Sequence, residues 1–370
     1  MSARIGLLVF LVGCTSSNDA AQLGGKDLAG AGSAQDLAGL PNDGGGDMTS
    51  PAGDAAGPTV CALPPACDAP PPDPGAATGF AGLPPLGSAN HRGRDLFVKE
   101  GDAQWILAHF AYGATALESG ISGEAVDIYV LPSCGTTWQK LGTATTSDGS
   151  TGNTVEGVDD AKGRLFFGIE KGKHLPLGRH RVHLVLKADL SSTDLFLEVV
   201  KAGTKIFVTD VDGTLTSSEN AQFTSLFTGS DPSANADAAT ALTKLAERGY
   251  RPMYLTARPE WLVQKSREWL TSNGFPAGIL HTTLGGTGAL GSSAATFKSG
   301  ELDAEKARGL VLSYAIGNTS TDADAYDHAG VMPLVDRIFY QYTDDAYGGR
   351  RIESYSELTS EFATLPLVCQ

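Results

Sequence analysis

The chain has no Gly-x-Ser-x-Gly, so a hydrolase of the serine class has no support. It has no Cys-x-x-Cys and no i, i+4 histidine pair. Its five cysteines and seven histidines therefore do not read as zinc ligands, and the histidines are expected to be structural or exposed. Basic residues are scarce: 27 Lys and Arg stand against 42 Asp and Glu, for a net charge of −15, which disfavours nucleic acid as a partner. Long apolar runs are missing too. The stretch Ile5 to Val12 is far too short to span a bilayer as a helix, and nothing else approaches spanning length. Gly285 to Gly291 is Gly-rich but lacks the Gly-Lys-Ser/Thr ending of a P-loop, and is expected to be a flexible loop near the site.

Residues 1–14 have the layout of an export signal: Arg4 as the positive region, Ile5–Val12 as the apolar region, and Leu11-Val12-Gly13-Cys14 at the processing point. Those four residues resemble the bacterial lipobox, which implies a lipid on Cys14 and an exported protein anchored at the cell envelope, expected on the outer membrane. From Thr15 to about Ser88 the chain is Gly, Ala, Pro, Asp and Ser, with Asp-Leu-Ala-Gly at 27–30 and again at 36–39. Such a composition cannot bury enough apolar surface to offset its ordering entropy, so 15–88 is expected to be a disordered tether. It holds eight Asp and one Lys, about seven of the −15. With Cys14 lipidated, Cys61, Cys67, Cys134 and Cys369 remain, an even number for an oxidising compartment. Cys61 and Cys67 are placed to close a small loop, leaving Cys134 for Cys369, but all three pairings stay open.

Residues 89–202 carry short alternating runs parted by turn residues, among them Trp105–Phe110, Val126–Val130, Arg164–Phe167, Arg181–Leu186 and Asp194–Val200. This spacing predicts a small β-sandwich, read as a packing or spacing module. Over 203–370 strand and helix alternate. Strands are expected at Lys205–Thr209, Arg251–Thr256, Ile279–His281 and Val311–Ile316, and helices at Ala234–Arg248, Glu260–Asn273 and Leu302–Arg308. The pattern predicts a parallel sheet with helices on both faces, whose ligand site lies beyond the carboxyl ends of the strands. Asp210, Thr256 and Gly317-Asn318 each fall just past a strand. Asp210 and Asp212, one residue apart before Gly213, repel unless a cation, a proton or phosphate chemistry occupies the space between them.

Asp210-Val-Asp-Gly-Thr-Leu-Thr216 resembles the first motif of the haloacid dehalogenase superfamily. Thr256 in Leu255-Thr-Ala-Arg258-Pro matches the second, Lys298 in Thr296-Phe-Lys the third (Lys306 being the fallback), and Gly317-Asn318-Thr-Ser-Thr-Asp322 the fourth. Four motifs in order over about 115 residues imply the family's Rossmann-type fold. By this resemblance Asp210 is the nucleophile forming an aspartyl-phosphate, Asp212 the general acid and base, and Thr256 and Lys298 the groups holding the phosphoryl charge. Gly213, Thr214 and Arg258 are implied as substrate contacts. Magnesium is implied on the Asp210 carboxylate, the Asp212 backbone carbonyl and Asn318, with Asp322 through water; Asp324 competes with Asp322 but has the poorer spacing.

Within the superfamily the nearest resemblance is to lipins, which are phosphatidate phosphatases. The lipin-like domain of larger phosphatidylinositol transfer proteins is similar as well, and Glu268-Trp-Leu-Thr-Ser-Asn-Gly-Phe-Pro276 resembles that version in particular. The upstream β-region would then correspond to the immunoglobulin-like part of lipins. The implied activity is magnesium-dependent phosphomonoester hydrolysis, on phosphatidate or a related anionic phospholipid. Only about 40 residues part the first two motifs, leaving little room for a large cap and favouring a bulky substrate at a membrane surface. Two alternatives stand: a non-catalytic module that binds anionic phospholipid, as in transfer-protein domains lacking the acid pair, and a phosphatase of soluble nucleotide or sugar phosphates.

Overall fold

The computed structural model describes residues 59–114, 117–217 and 231–369. The signal segment, Cys14 and positions 15–58 of the expected tether lie outside the described residues, as does 218–230 between the first two motifs.

The first region is built from β1 (Arg92–Arg94), β2 (Leu96–Lys99), β3 (Trp105–His109), β4 (Ala125–Leu131), β5 (Gln139–Thr145), β6 (Arg164–Gly168), β7 (Gly178–Leu186) and β8 (Ser192–Val200). Strands β1-β3-β6 form an antiparallel sheet; β2-β8-β7-β4-β5 form a second, antiparallel except where β8 runs parallel to β2. Side chains alternate across a strand, and this period sorts the core. Leu195, Leu197 and Val199 of β8, with Leu96 and Val98 of β2, enter the cluster between the two sheets. Phe97, Phe196 and Val200, on the opposite face, belong to a cluster that they share with the next region.

That region runs β9 (Lys205–Thr209), α1 (Ala238–Glu247), β10 (Arg251–Leu255), α2 (Val263–Ser272), β11 (Ile279–His281), α3 (Ser292–Ala307), β12 (Val311–Gly317), α4 (Ser320–His328), β13 (Arg337–Tyr340), β14 (Arg350–Ile352) and α5 (Ser356–Thr364). The six strands are parallel in the order β11-β10-β9-β12-β13-β14. Ile206 and Val208 pack with Leu302 of α3 and Tyr326 of α4 on one face. Phe207 packs with Leu242 of α1, Trp269 of α2 and Phe362 of α5 on the other. The first strand is central, and the chain winds outward one way to β11 and the other way to β14. The crevice therefore opens where the winding reverses, beyond the carboxyl ends of β9 and β12.

Three expectations need correction. Positions 59–88 are not a free tether but lie along the fold: Trp138 Nε1 donates to Pro70 O at 2.7 Å, Arg181 to Cys67 O and Ala69 O at 3.1 Å, and Thr78 N to Lys187 O at 2.9 Å. The disulfides are Cys61–Cys369 and Cys67–Cys134, not the small loop and its complement. The reason is where the backbone is held. Cys61 N bonds Glu247 O and Val368 N bonds Arg248 O, so Cys61 and the segment before Cys369 both arrive at the end of α1. Finally, α3 starts at Ser292, ten residues before the expected Leu302, and so carries Lys298 on a helix.

Peptide mapping under non-reducing conditions is expected to recover these two linkages. Replacing Cys61 and Cys369 together by alanine is expected to cost about 2–5 kcal/mol of unfolding free energy in urea titration, because the bridge closes most of the chain into one loop.

Candidate active site

The strand β9 ends at Thr209 and delivers Asp210 into the crevice, with its N–H bonded to Ile316 O of β12 at 2.9 Å. Asp210 is 4 % exposed. Lys298, 3 % exposed, donates from Nζ to Asp210 Oδ1 at 2.7 Å and to Asp322 Oδ1 at 2.6 Å. Burial raises the Asp210 carboxyl; Lys298 opposes this and the charges of Asp322 and Asp212 add to it, leaving it at about 7. On Lys298 burial works against the charged form, but the two carboxylates prevail and its affinity for the proton is raised. The hydroxyl of Thr214 lies 2.7 Å from Asn318 Oδ1 and 3.2 Å from Asp210 Oδ2, so these two oxygens converge on one donor.

Asp322 is wholly buried, with Oδ2 accepting from the backbone N–H groups of Asn318 and Thr319 at 3.1 Å and from Thr319 Oγ1 at 2.8 Å. This is a capping box: Thr319 caps α4 and Asp322 returns to the cap backbone. Both Asp322 oxygens are thus engaged, one by the helix start and one by Lys298. Gly317 is glycine for a local reason, since a Cβ there would strike the Asp322 side chain.

Asp212 points the other way. Arg258 grips it as a fork, Nη2 to Oδ1 at 2.8 Å and Nε to Oδ2 at 2.9 Å, and Thr256 Oγ1 donates to Oδ2 at 3.1 Å. The structure therefore brings together Asp210, Thr214, Lys298, Asn318 and Asp322 on one side, and Asp212, Thr256 and Arg258 on the other. Gly213 joins the two with φ +71°, a left-handed conformation that favours glycine. Lys306 is not in the group; its Nζ bonds Ala329 O at 2.8 Å. Asp324 is outside it as well and accepts from Tyr347 OH at 2.8 Å.

Several supporting residues carried no signal in the sequence. Ser266 of α2 accepts from Arg258 Nη1 at 2.8 Å. Asn235 donates to Thr214 O at 2.7 Å and Tyr355 OH to the same oxygen at 2.9 Å, fixing the loop that carries Thr214. Glu260, two residues past Arg258, is buried against Arg92, His109 and Arg164 of the sandwich. Only spatial proximity reveals these roles.

Among the described residues no group of three or more His, Cys, Asp or Glu side chains is placed to hold a metal. A cation here would rest on oxygen donors of mixed type, namely Asp210 Oδ2, Asn318 Oδ1 and backbone carbonyl, with water completing the shell. Such a hard, short ligand set fits magnesium, which retains several waters.

Residues 207–340 match the family model of the LNS2 domain of PITM 1-3, and residues 89–199 match that of the PITM 1-3 β-sandwich domain. The chain is 30% identical over 255 residues to protein retinal degeneration B of Drosophila melanogaster, covering 68% of this chain and 18% of that one. It is 30% identical over 195 residues to membrane-associated phosphatidylinositol transfer protein 1 of Rattus norvegicus, covering 52% and 14%. The human protein 3 of that name is 28% identical over the same length, covering 52% and 18%. The chain is thus homologous to these proteins while spanning less than a fifth of their length. A magnesium- and phosphate-bound D,D-heptose 1.7-bisphosphate phosphatase from B. bronchiseptica aligns with 42% of this chain and 97% of its own at 15% identity and a TM-score of 0.32, a likeness that carries no argument.

Replacing Lys298 by methionine leaves Asp210 and Asp322 buried without their shared cation. The expected loss of stability at neutral pH is about 3–5 kcal/mol, measured by urea unfolding. A second expectation concerns Glu260. Burial alone would raise its carboxyl, but His109, Arg164 and Arg92 outweigh that and hold it at about 2, below its ordinary 4.5. The stability from this depression is present above pH 4.5 and is lost as pH falls toward 2. Proton uptake on unfolding in that window is expected to drop by about one in Glu260→Gln, as read from the pH dependence of unfolding free energy.

Proposed function

We propose that this protein is a phosphomonoesterase of the haloacid dehalogenase type, requiring magnesium and acting on phosphatidate or a related anionic phospholipid. The observation that carries the reading is the buried Asp210 carboxylate, held at the winding reversal between Lys298 and Thr214, with Asp212 two residues on. An anionic phosphoryl group needs cationic and donor groups around it, and Lys298, Arg258, Thr214 and Thr256 supply them.

In the proposed reaction an Asp210 oxygen attacks phosphorus and the bond from phosphorus to the alcohol oxygen breaks. Asp212 gives that oxygen its proton, so alcohol leaves and an aspartyl-phosphate remains. Water then attacks phosphorus, Asp212 takes a proton from it, and the Asp210–phosphorus bond breaks to release phosphate. Before this, Asp212 must be freed from the Arg258 fork. The arriving phosphoryl anion competes for the same guanidinium, so substrate binding itself loosens the fork. Magnesium bound at Asp210, Asn318 and the Asp212 carbonyl would neutralise charge on the nucleophile and on the phosphoryl oxygens.

The lipid assignment is supported by the lipin-like motifs and by relatives named for membrane association and phosphatidylinositol transfer. The N-terminal residues, read as an export signal with a lipid on Cys14, would hold the enzyme at a membrane. The paired oxygens of Asp212 favour a second reading, in which Arg258 stays closed and the site binds anionic phospholipid without turnover.

Phosphate release from phosphatidate in mixed micelles, beside a panel of soluble esters, separates these readings. Magnesium-dependent release is expected from phosphatidate, falling at least about 10³-fold in Asp210→Asn. Release from soluble esters alone would remove the lipid assignment. No release from any ester by folded, metal-supplied protein would leave the binding module.

A further inference from the structure

We propose that the β-sandwich is a working part of the site: Arg92 and Arg94 of β1 are positioning residues that hold the Asp212 arm and the Lys298 arm of the α/β region at a fixed separation. The kinetic consequence rests on the catalytic reading above; the geometry does not.

Residues two apart on a strand project from one face, so Arg92 and Arg94 reach out in the same direction. Gly93 between them lies against β8, where a Cβ would come within 2.9 Å of Asp194 O and closer still to Leu195. The strand is therefore seated flat on the five-stranded sheet, and both arginines start from a rigid base. Their targets are the two sides of the crevice.

Arg92, whose two Nη atoms are forked onto Glu118, also donates from Nη2 to Glu260 Oε2 at 3.2 Å, while Arg164 Nη1 bonds the other Glu260 oxygen and His109 Nδ1 stands 3.5 Å away. Glu260 follows Arg258 by two residues. Its own N–H bonds Gly285 O at 3.2 Å, Thr283 N bonds Arg258 O at 3.0 Å, and Ala289 N bonds Ala257 O at 2.9 Å. Holding Glu260 thus holds the whole loop that aims Arg258 and Thr256 at Asp212.

Arg94 works on the opposite arm. Its Nη2 donates to Glu301 Oε1 at 2.7 Å and Oε2 at 2.8 Å. Glu301 lies three residues after Lys298 on α3, one turn along the same face. Glu301 Oε2 is also 2.6 Å from His281 Nδ1, and His281 Nε2 is 2.8 Å from Asp95 O, the residue next to Arg94. The His281 carbonyl in turn accepts from Thr256 N at 3.0 Å, which closes a circuit through both arms. Neither carboxylate touches the reacting groups, so both arginines act through another residue. All four side chains are largely buried, where a charge pair is screened little and its geometry is stiff. A displacement of about 1 Å far from the chemistry can lower turnover by about 10²-fold.

The test uses the full chain, with p-nitrophenyl phosphate and magnesium for turnover and amide hydrogen exchange read by mass spectrometry. Arg94→Met is expected to lower kcat about tenfold or more while KM moves less than about threefold. It is expected to speed exchange over residues 296–305 and leave β4 and β7 as they were. Arg94→Lys, which keeps the charge and a single nitrogen donor but shortens the reach, is expected to recover part of kcat, and it carries the test alone if the methionine variant does not fold. Unchanged exchange over 296–305, or exchange that rises uniformly with the fall in melting temperature, would overturn the proposal. Should the parent protein release no phosphate, the catalytic reading fails and exchange alone decides the role of Arg94.

Discussion

Asp210, Lys298 and Asp322 bury two negative charges and one positive charge within direct contact, and the rest of the crevice follows from the balance they leave. Each ion removed from water costs several kcal/mol unless partners replace its hydration. For Asp322 the replacement is complete, because the N–H groups of Asn318 and Thr319, just before α4, serve one oxygen and Lys298 the other. Asp210 has a half share of one ammonium and one hydroxyl. Across the way Asp212 and Arg258 cancel. The sum over the two arms is one negative charge, and it resides on Asp210. A buried carboxylate in that position takes up a proton, which is why burial lifts it to about 7, or it takes up a cation. In the proposed reading, that deficit is what a divalent metal and then a phosphoryl group would fill.

The fold can hold such a cluster because it is braced from two directions. From below, the order of the parallel strands puts the ends of β9 and β12 side by side, so Asp210 and Asn318 meet without either loop having to reach. From the side, the sandwich shares a core with the sheet through Phe97, Phe196 and Val200. It adds charged contacts at Glu260 and Glu301 that lie just outside the reacting groups. The polar contacts alone would be weak support, since a buried ion pair is expensive to form. Combined with the continuous apolar core, they specify register, because an unmatched buried carboxylate is penalised at every other placement.

Legibility in the sequence follows the range of the interaction. Asp210, Thr256 and Asn318 were readable because each falls just past a strand, a signal confined to a few neighbours, and Asp212 from its place two residues after Asp210 and next to Gly213. Sandwich strands β3, β4, β6, β7 and β8 were readable from alternation while β1, β2 and β5 were not, and alternation also accounts for which side chains enter which cluster. The first turns of α3 were not, because Ser292-Ser-Ala-Ala-Thr-Phe follows a Gly-rich stretch and offers no apolar stripe. Cysteine pairing was undetermined, since it depends on Cys61 and Cys369 meeting at α1 across 308 residues of sequence. Likewise nothing local distinguishes Arg94 from any other strand arginine, or Glu301 from any exposed helix glutamate. Their meaning exists only once two regions are packed together.

The fork between Arg258 and Asp212 bears on whether the site turns over or only holds its ligand. Two parallel charge-assisted bonds hold both Asp212 oxygens on Arg258, so neither is free to reach a leaving group until the fork opens. The planar guanidinium suits a phosphoryl group as it suits a carboxylate, and its third nitrogen is tied to Ser266 Oγ. A dianionic phosphoryl group offers it more charge than a carboxylate does, so capture of the ligand and release of Asp212 are one exchange of partners. Both readings share that first exchange. They part at the second, where a freed Asp212 either meets the leaving oxygen or finds no proton path to it. In the catalytic reading, turnover would hinge on the reach of one side chain after the fork opens, and on how rigidly Glu260 and the sandwich hold the loop that carries Arg258.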